Sequence, residues 1–275
     1  MEISSDEIMV VCIARQIHNG ETVVQGLATP LVAAAYLLAR MTHAPDLYFA
    51  SAIGQSICRR PAPLGLTRVE SLWLDRALLK ASFATVAAEF LPSLRPKEFF
   101  RPAQIDPHGN FNNIAFGENY RCPRLRLPGT GGIPDVTTFI NSTYLYVPRH
   151  SRLTFVPKVD FIAGLGHNPS RTRGAGPCYL VSDLGQFDFE DGIMRLVTYH
   201  PGVRVEQIQA RTGFDLRLAP SLHETTLPTM TELRLLREEI DPLGIRRLEA
   251  LGGSSRRQLL HEIVSIEAGS YSGRV

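Results

Sequence analysis

The chain is poor in the features that mark several large protein classes. Only four of its 275 residues are cysteine (Cys12, Cys58, Cys122, Cys178), and no two form a CxxC pair. That spacing excludes a disulfide framework or a thiolate-built metal centre and fits free thiols in a reducing compartment, so a cytoplasmic location is expected. His108, His150, His167, His200 and His223 show no metal-ligand spacing, so no metal is expected. No apolar run reaches the roughly 20 residues that span a bilayer. The opening Met1-Glu-Ile-Ser-Ser-Asp6 is acidic and polar, unlike a secretory signal. A net charge of +2 leaves no bulk electrostatic case for nucleic acid or an anionic membrane, and neither is expected as a partner. Repeats, low-complexity tracts, a Gly-Lys-Ser/Thr phosphate loop and a dinucleotide fingerprint are all missing. From Leu47 to Val69 there is no aspartate or glutamate.

What is present reads as an α/β protein. The composition, 44% hydrophobic and 20% charged, is that of an ordinary globular domain. Glu21–Gly54 organises the chain. Glu21–Gln25 predicts a strand, Gly26-Leu27-Ala28 a tight turn, and Thr29-Pro30 an N-cap followed by proline at the first helical position. The helix Pro30–Met41 is apolar nearly all round, hence buried. Leu47–Ala52 predicts a second strand, ending at Gly54. A strand–helix–strand crossover brings both strand ends to one sheet edge, where α/β proteins bind ligands.

The remaining expectations follow from caps and periodicity. Ser4-x-x-Glu7 and Thr229-x-x-Glu232 are capping boxes opening helices to about Ile17 and Ile240. Gln55–Thr67 reads as a loop, Ser71–Ala81 and Phe83–Leu91 as helices. Glu98–Gln104, Asn110–Ala115, Thr143–Val147, Val159–Ala163, Cys178–Ser182, Gln186–Phe189 and Ile193–Thr198 read as strands. A short helix follows Pro128–Asp135, and another covers Val205–Arg211. Gly252–Ser255 reads as a linker to an amphipathic stretch, Arg256–Ile266, placed either as a cap on this chain or as a docking element. The expected division is residues 1–251 and a helical extension, 252–275. Strands alternating with helices argue for an open, mostly parallel sheet covered by helices.

Candidate chemistry lies in backbone amides more than in side chains. The turn Gly26–Ala28 presents N–H groups fit for an oxyanion hole, Gly26 and Ala28 above all. Gly129-Thr130-Gly131-Gly132 presents several more to an anion or thioester carbonyl, with the following helix adding its N-terminal dipole. In both places a tight turn with no ligand is the alternative. Gln25, at the end of the first strand, and Gly54, after the second, are candidate substrate contacts. Cys58 beside Arg59 and Arg60 is either a nucleophile or an unreactive loop or core thiol. His43 is either a general base or a group packed at a helix C-terminus. Glu118 is either an acid/base residue or an exposed glutamate.

Taken together, several segments resemble the β subunit of class I CoA-transferases of the glutaconate CoA-transferase type. They are Ala14-Arg15-Gln16-Ile17-x-Asn19-Gly20, Gly26-x-x-x-Pro30, Ala44-Pro45-Asp46, Ala103-Gln104-Ile105-Asp106-Pro107-x-Gly109-Asn110, Gly129-x-Gly131-Gly132, Lys158-Val159-Asp160, Thr212-Gly213-Phe214-Asp215 and Arg237-Glu238-Glu239-Ile240-Asp241-Pro242. The resemblance spans residues 5–247. It implies a CoA-transferase fold, a homologous α subunit as partner, an acyl-CoA thioester as substrate and no cofactor beyond that CoA. Family transferases attack the thioester with a glutamate on the second strand, giving an acyl-glutamyl anhydride and then a glutamyl-CoA thioester. That position falls on Ala52 here, or on Ser51 or Ile53 with a one-residue slip in the alignment. An alanine cannot carry an acyl or CoA group. The resemblance extends to non-transferase branches that also lack the glutamate, the steroid ring-cleaving CoA hydrolases and the glutaconyl-CoA decarboxylase. It therefore implies decarboxylation or hydrolytic C–C cleavage. A true transferase with a displaced carboxylate such as Glu118, and a non-catalytic subunit completing a site on the α chain, are the rival readings.

Overall fold

Ser4 opens the first helix as its sequence predicts: the Glu7 carboxylate accepts from the Ser4 N–H at 3.0 Å. This helix, α1 (Ser5–Ala14), is buried from Asp6 onward: Ile8–Ala14 is apolar, and Asp6 and Glu7 are buried against Arg246 and Arg237. The computed structural model describes residues 2–26, 29–51, 55–67 and 76–272. Within them the chain forms two units, Met1–Glu89 with Pro228–Val275, and Phe90–Leu227.

In the first unit, β1 (Thr22–Gln25) runs parallel to β2 (Tyr48–Ser51), with Thr22 opposite Tyr48 and Gln25 opposite Ser51. The crossover helix α2 (Pro30–Thr42) is buried from Leu31 to Ala39, and its Tyr36 hydroxyl donates to the Val24 carbonyl at 3.0 Å. Thr29 does not cap α2 with its side chain. The Glu249 carboxylate does so instead, accepting from the Leu31 N–H at 2.9 Å. Part of the expected 55–67 loop is a strand, β3 (Ser56–Cys58), antiparallel to β2. The expected helix over 71–81 is corrected at its end: Ala77–Lys80 forms β4, an exposed strand antiparallel to β3. Leucines at 78 and 79 carry a helical propensity that pairing with β3 overrides.

Phe83–Thr85, a π turn Val86–Phe90 and Leu91–Leu94 follow as successive helical turns. In the second unit, β5 (Lys97–Phe100) and β6 (Thr143–Val147) are parallel, as are β6 and β7 (Pro177–Ser182). β8 (Gly185–Glu190) and β9 (Ile193–Tyr199) extend the array antiparallel. β10 (Arg217–Glu224), which the sequence pattern does not announce, pairs parallel to β9 at the margin. Helices α3 (Ile133–Phe139) and α4 (Val205–Arg211) lie where expected. Val159–Ala163 forms no strand; the chain there makes only an isolated bridge at Gly164 to Phe111.

The chain then returns to the first unit through α5 (Met230–Arg234), capped by Thr229, a π turn Leu235–Ile240 and Arg247–Ala250. Arg246 ties this return to α1, with Nε 2.7 Å from Asp6, Nη2 3.2 Å from Glu7 and Nη1 2.9 Å from Asp241. The expected Gly-Gly-Ser-Ser linker is instead the start of α6 (Gly253–Ser272). Leu259 and Ile263 of α6 pack on Ile245 and Leu248, and the Glu267 carboxylate accepts from the N–H groups of Leu66 (2.7 Å) and Thr67 (2.8 Å). This helix therefore seats on its own chain. The α/β class is the expected one, with parallel pairs at the crossover and at β5–β6–β7 and antiparallel strands added around them.

Candidate active site

The carboxyl ends of β1 and β2 carry a buried polar row. The register sets Gln25 beside Ser51, and Ser51 beside Ser56 at the start of β3. Lateral neighbours in a sheet present their side chains to one face. Gln25 is 8% exposed, Ser51 4% and Ser56 2%. The Gln25 Oε1 and Ser56 Oγ atoms are buried without a hydrogen-bond partner among the described residues. A buried polar atom left unpaired costs about 1–3 kcal/mol, which makes the row a candidate place for a ligand. Ser56 has no sequence signal, because nothing local distinguishes a strand serine that lacks a partner.

Gly26, also named from the sequence, follows Gln25 directly, and the positive end of α2 behind it is taken by Glu249. Any oxyanion hole at this turn rests on the turn's own amides. Ala28, Ala52 and Gly54 lie outside the described residues.

The Gly129–Gly132 turn belongs to the second unit. Gly129 (φ +104°) and Gly131 (φ +51°) occupy the left-handed region, where a side chain is strained. A Cβ at either would meet open space, so conformation and not crowding requires these glycines. The Gly129 N–H donates to the Asn113 carbonyl at 3.0 Å and fixes the turn. Gly131 and Gly132 are exposed, and no acceptor among the described residues takes their N–H groups.

The remaining candidates have structural roles. His43 Nε2 donates to the carbonyls of Ala14 (3.1 Å) and Ile17 (3.0 Å), closing the end of α1. Cys58 is fully buried, and burial pushes its thiol up to about 11, away from thiolate chemistry. Its neighbour Arg59 pairs with Asp46 at 2.8 Å. Glu118 is exposed on the hairpin between Ala115–Phe116 and Leu125–Arg126. No group of three or more histidine, cysteine or carboxylate side chains among the described residues is placed to hold a metal.

Two buried histidines that the sequence did not single out form a closed network in the second unit. Thr212 donates to the Ile208 carbonyl, so its oxygen accepts from His150 Nε2 at 3.0 Å. His150 Nδ1 must then accept from the Ser182 hydroxyl, also at 3.0 Å. His200 Nε2 donates to the Ser182 carbonyl at 2.9 Å and its Nδ1 accepts from Thr225 at 3.0 Å. His150 stacks on Phe155 with ring centroids 3.6 Å apart. Burial holds His150 at about 3 and His200 at about 4, so both are neutral. Every polar atom here has a use within the fold. Glu98 on β5 is also buried, and desolvation raises its carboxyl to about 8.

The fold agrees with the comparisons. No family model matches the chain. The β subunit of the 3-oxoadipate CoA-transferase of Pseudomonas knackmussii is 32% identical over 244 residues, covering 85% of this chain and 92% of the relative. The chain belongs to the CoA-transferase family. It is of the β-subunit type, as the resemblance implied. A cholesterol ring-cleaving hydrolase IpdB subunit of Rhodococcus jostii is 32% identical over 240 residues, covering 84% of this chain and 89% of that one. The crystal structure of the decarboxylase AibA/AibB matches with a TM-score of 0.79 and 31% identity, over 90% of this chain and 99% of that one. These relatives are subunits of heteromers, and a partner subunit follows for this member.

Proposed function

We propose that this chain is the β subunit of a cytoplasmic heteromeric enzyme that acts on an acyl-CoA thioester by decarboxylation or hydrolytic C–C cleavage. One observation carries the reading: no carboxylate occurs from Leu47 to Val69, the stretch that holds the second strand and the family's glutamate position at Ala52. Without that nucleophile no glutamyl-CoA thioester forms on this strand. Both reactions instead generate a carbanion beside the thioester carbonyl, and oriented donors stabilise the resulting enolate. The amides of Gly26 and Ala28 are the proposed donors, and those of Gly131 and Gly132, in the second unit, are a separate candidate for an anion or thioester carbonyl. Gln25, Ser51 and Ser56 supply polar contacts to the acyl group at the strand ends, with Gly54 as a further candidate contact. The general base comes from the homologous α subunit. The reading is supported by the presence of a decarboxylase and a ring-cleaving hydrolase among the chain's relatives.

The relation to a 3-oxoadipate CoA-transferase favours a second reading, transfer through a displaced carboxylate. Borohydride or hydroxylamine treatment of the complex during turnover separates the two. The proposal predicts no CoA or acyl adduct on this chain by intact mass. An adduct on any of its glutamates establishes the transferase.

A further inference from the structure

The helix α6 lies beyond residue 247, where the family resemblance ends, yet it is fastened to the first unit along its length. Near its start the Arg256 Nε donates to the Leu248 carbonyl at 2.9 Å. In its middle Leu259 and Ile263 bury against Ile245 and Leu248, and Leu64 and Leu66 pack on the same cluster. Towards its end the Glu267 carboxylate makes three bonds to one short segment. Oε1 accepts from the Leu66 N–H at 2.7 Å, and Oε2 accepts from the Thr67 N–H at 2.8 Å and the Thr67 hydroxyl at 2.6 Å. Residues 59–67 form no helix or strand, so bonds of this kind set their path. Bonds to an ionised acceptor are the strong ones.

The cluster stands beside the turn on which the proposed chemistry depends. Leu248 is followed by Glu249, which is 7% exposed and whose carboxylate accepts from the Leu31 N–H at 2.9 Å. That N–H belongs to the first turn of α2 and has no partner within the helix. Glu249 therefore fixes where α2 begins, and α2 begins at Pro30, four residues after Gly26. A continuous series of contacts runs from Glu267 through Leu66, Leu248 and Glu249 to the residues that follow Gly26.

We propose that α6 positions the oxyanion turn, with Glu267 as the positioning residue that clasps the helix in place. The inference rests on the reading of Gly26 and Ala28 as donors to an enolate. Such amides act only while aimed at the atom on which charge develops, and a misplacement of about 1 Å costs up to about 100-fold in rate. Glu267 touches no reacting atom. It keeps the Arg247–Ala250 turn, and through Glu249 the start of α2, from drifting.

The test uses the full chain co-expressed with its α subunit, and acetoacetyl-CoA as the probe. The probe loses a proton to solvent from the carbon between its two carbonyls, and the enolate that forms has its own ultraviolet band. Amides aimed at the thioester oxygen raise the enolate fraction at a fixed pH. Glu267→Ala should reduce that enrichment by about tenfold. Glu267→Gln, which keeps one side-chain oxygen as an acceptor, should restore part of it, and decides alone if Glu267→Ala fails to assemble. Hydrogen exchange in the variant should quicken both at 64–67 and at the start of α2. Unchanged enrichment, or faster exchange confined to 64–67, overturns the clasp and leaves the donor reading standing. No enolate enrichment by the parent complex removes the donor reading and the role of the clasp with it.

Discussion

The Gln25–Ser51–Ser56 row and the His150–His200 network are both buried and polar, yet they are built on opposite terms. In the network each hydroxyl and imidazole has a donor or acceptor assigned by its neighbours, from Thr212 through Ser182 to Thr225. In the row, two of three side chains keep a buried polar atom without a partner among the described residues. A satisfied network fixes a fold. An unsatisfied row lowers stability and persists where a ligand supplies the missing bonds. Burial alone therefore does not separate the two; partner accounting does, and it makes the row the candidate site.

Acidification is the largest way to separate the two regions. Both histidines have folded-state values depressed below 6.5, so the unfolded state binds protons that the folded state refuses. Stability is then full above about pH 6.5 and falls as pH drops toward 4, by about 1.4 kcal/mol per pH unit for each histidine. Urea denaturation at pH 7, 6, 5 and 4 reads this directly, and His200→Gln reduces the slope. The row has no group that titrates in this window and adds nothing to it.

Ser182→Ala comes next. It leaves His150 Nδ1 unpaired and removes the acceptor for the Leu184 N–H, at about 1–3 kcal/mol. The drop should appear in chemical denaturation, with acyl-CoA turnover retained once the protein is refolded and assembled.

The same contrast explains what could be read from residues in order. The crossover was legible because its signals are local: Pro30 at the helix start, an apolar helix, and strands on either side. The motifs that carried the resemblance also turn out to hold shape. Asp106 accepts from the His108 and Asn110 N–H groups at 3.0 Å, and a Cβ on Gly109 would lie 2.6 Å from Pro177. Gly213 similarly admits the Phe155 carbonyl, to which its N–H donates at 2.8 Å. Edge strands were not legible. β4 exposes Leu78 and Leu79, and β10 is mostly exposed and contains Pro220, which an edge tolerates. The capping of α2 by Glu249, 218 residues away, has no signature in a local window. Ser56 was missed for the same reason, since an unpaired hydroxyl is a property of its surroundings.

The smallest expected stability change carries the most weight. Ser56→Ala removes a hydroxyl with no partner among the described residues, so unfolding free energy should stay within about 0.5 kcal/mol of the parent or rise slightly. Acyl-CoA turnover by the assembled complex should nevertheless fall by about tenfold as a substrate contact is lost. Measuring both quantities on Ser56→Ala tests the account most directly. Unchanged stability with reduced turnover is the predicted result; reduced stability with unchanged turnover would contradict it and return the row to the scaffold.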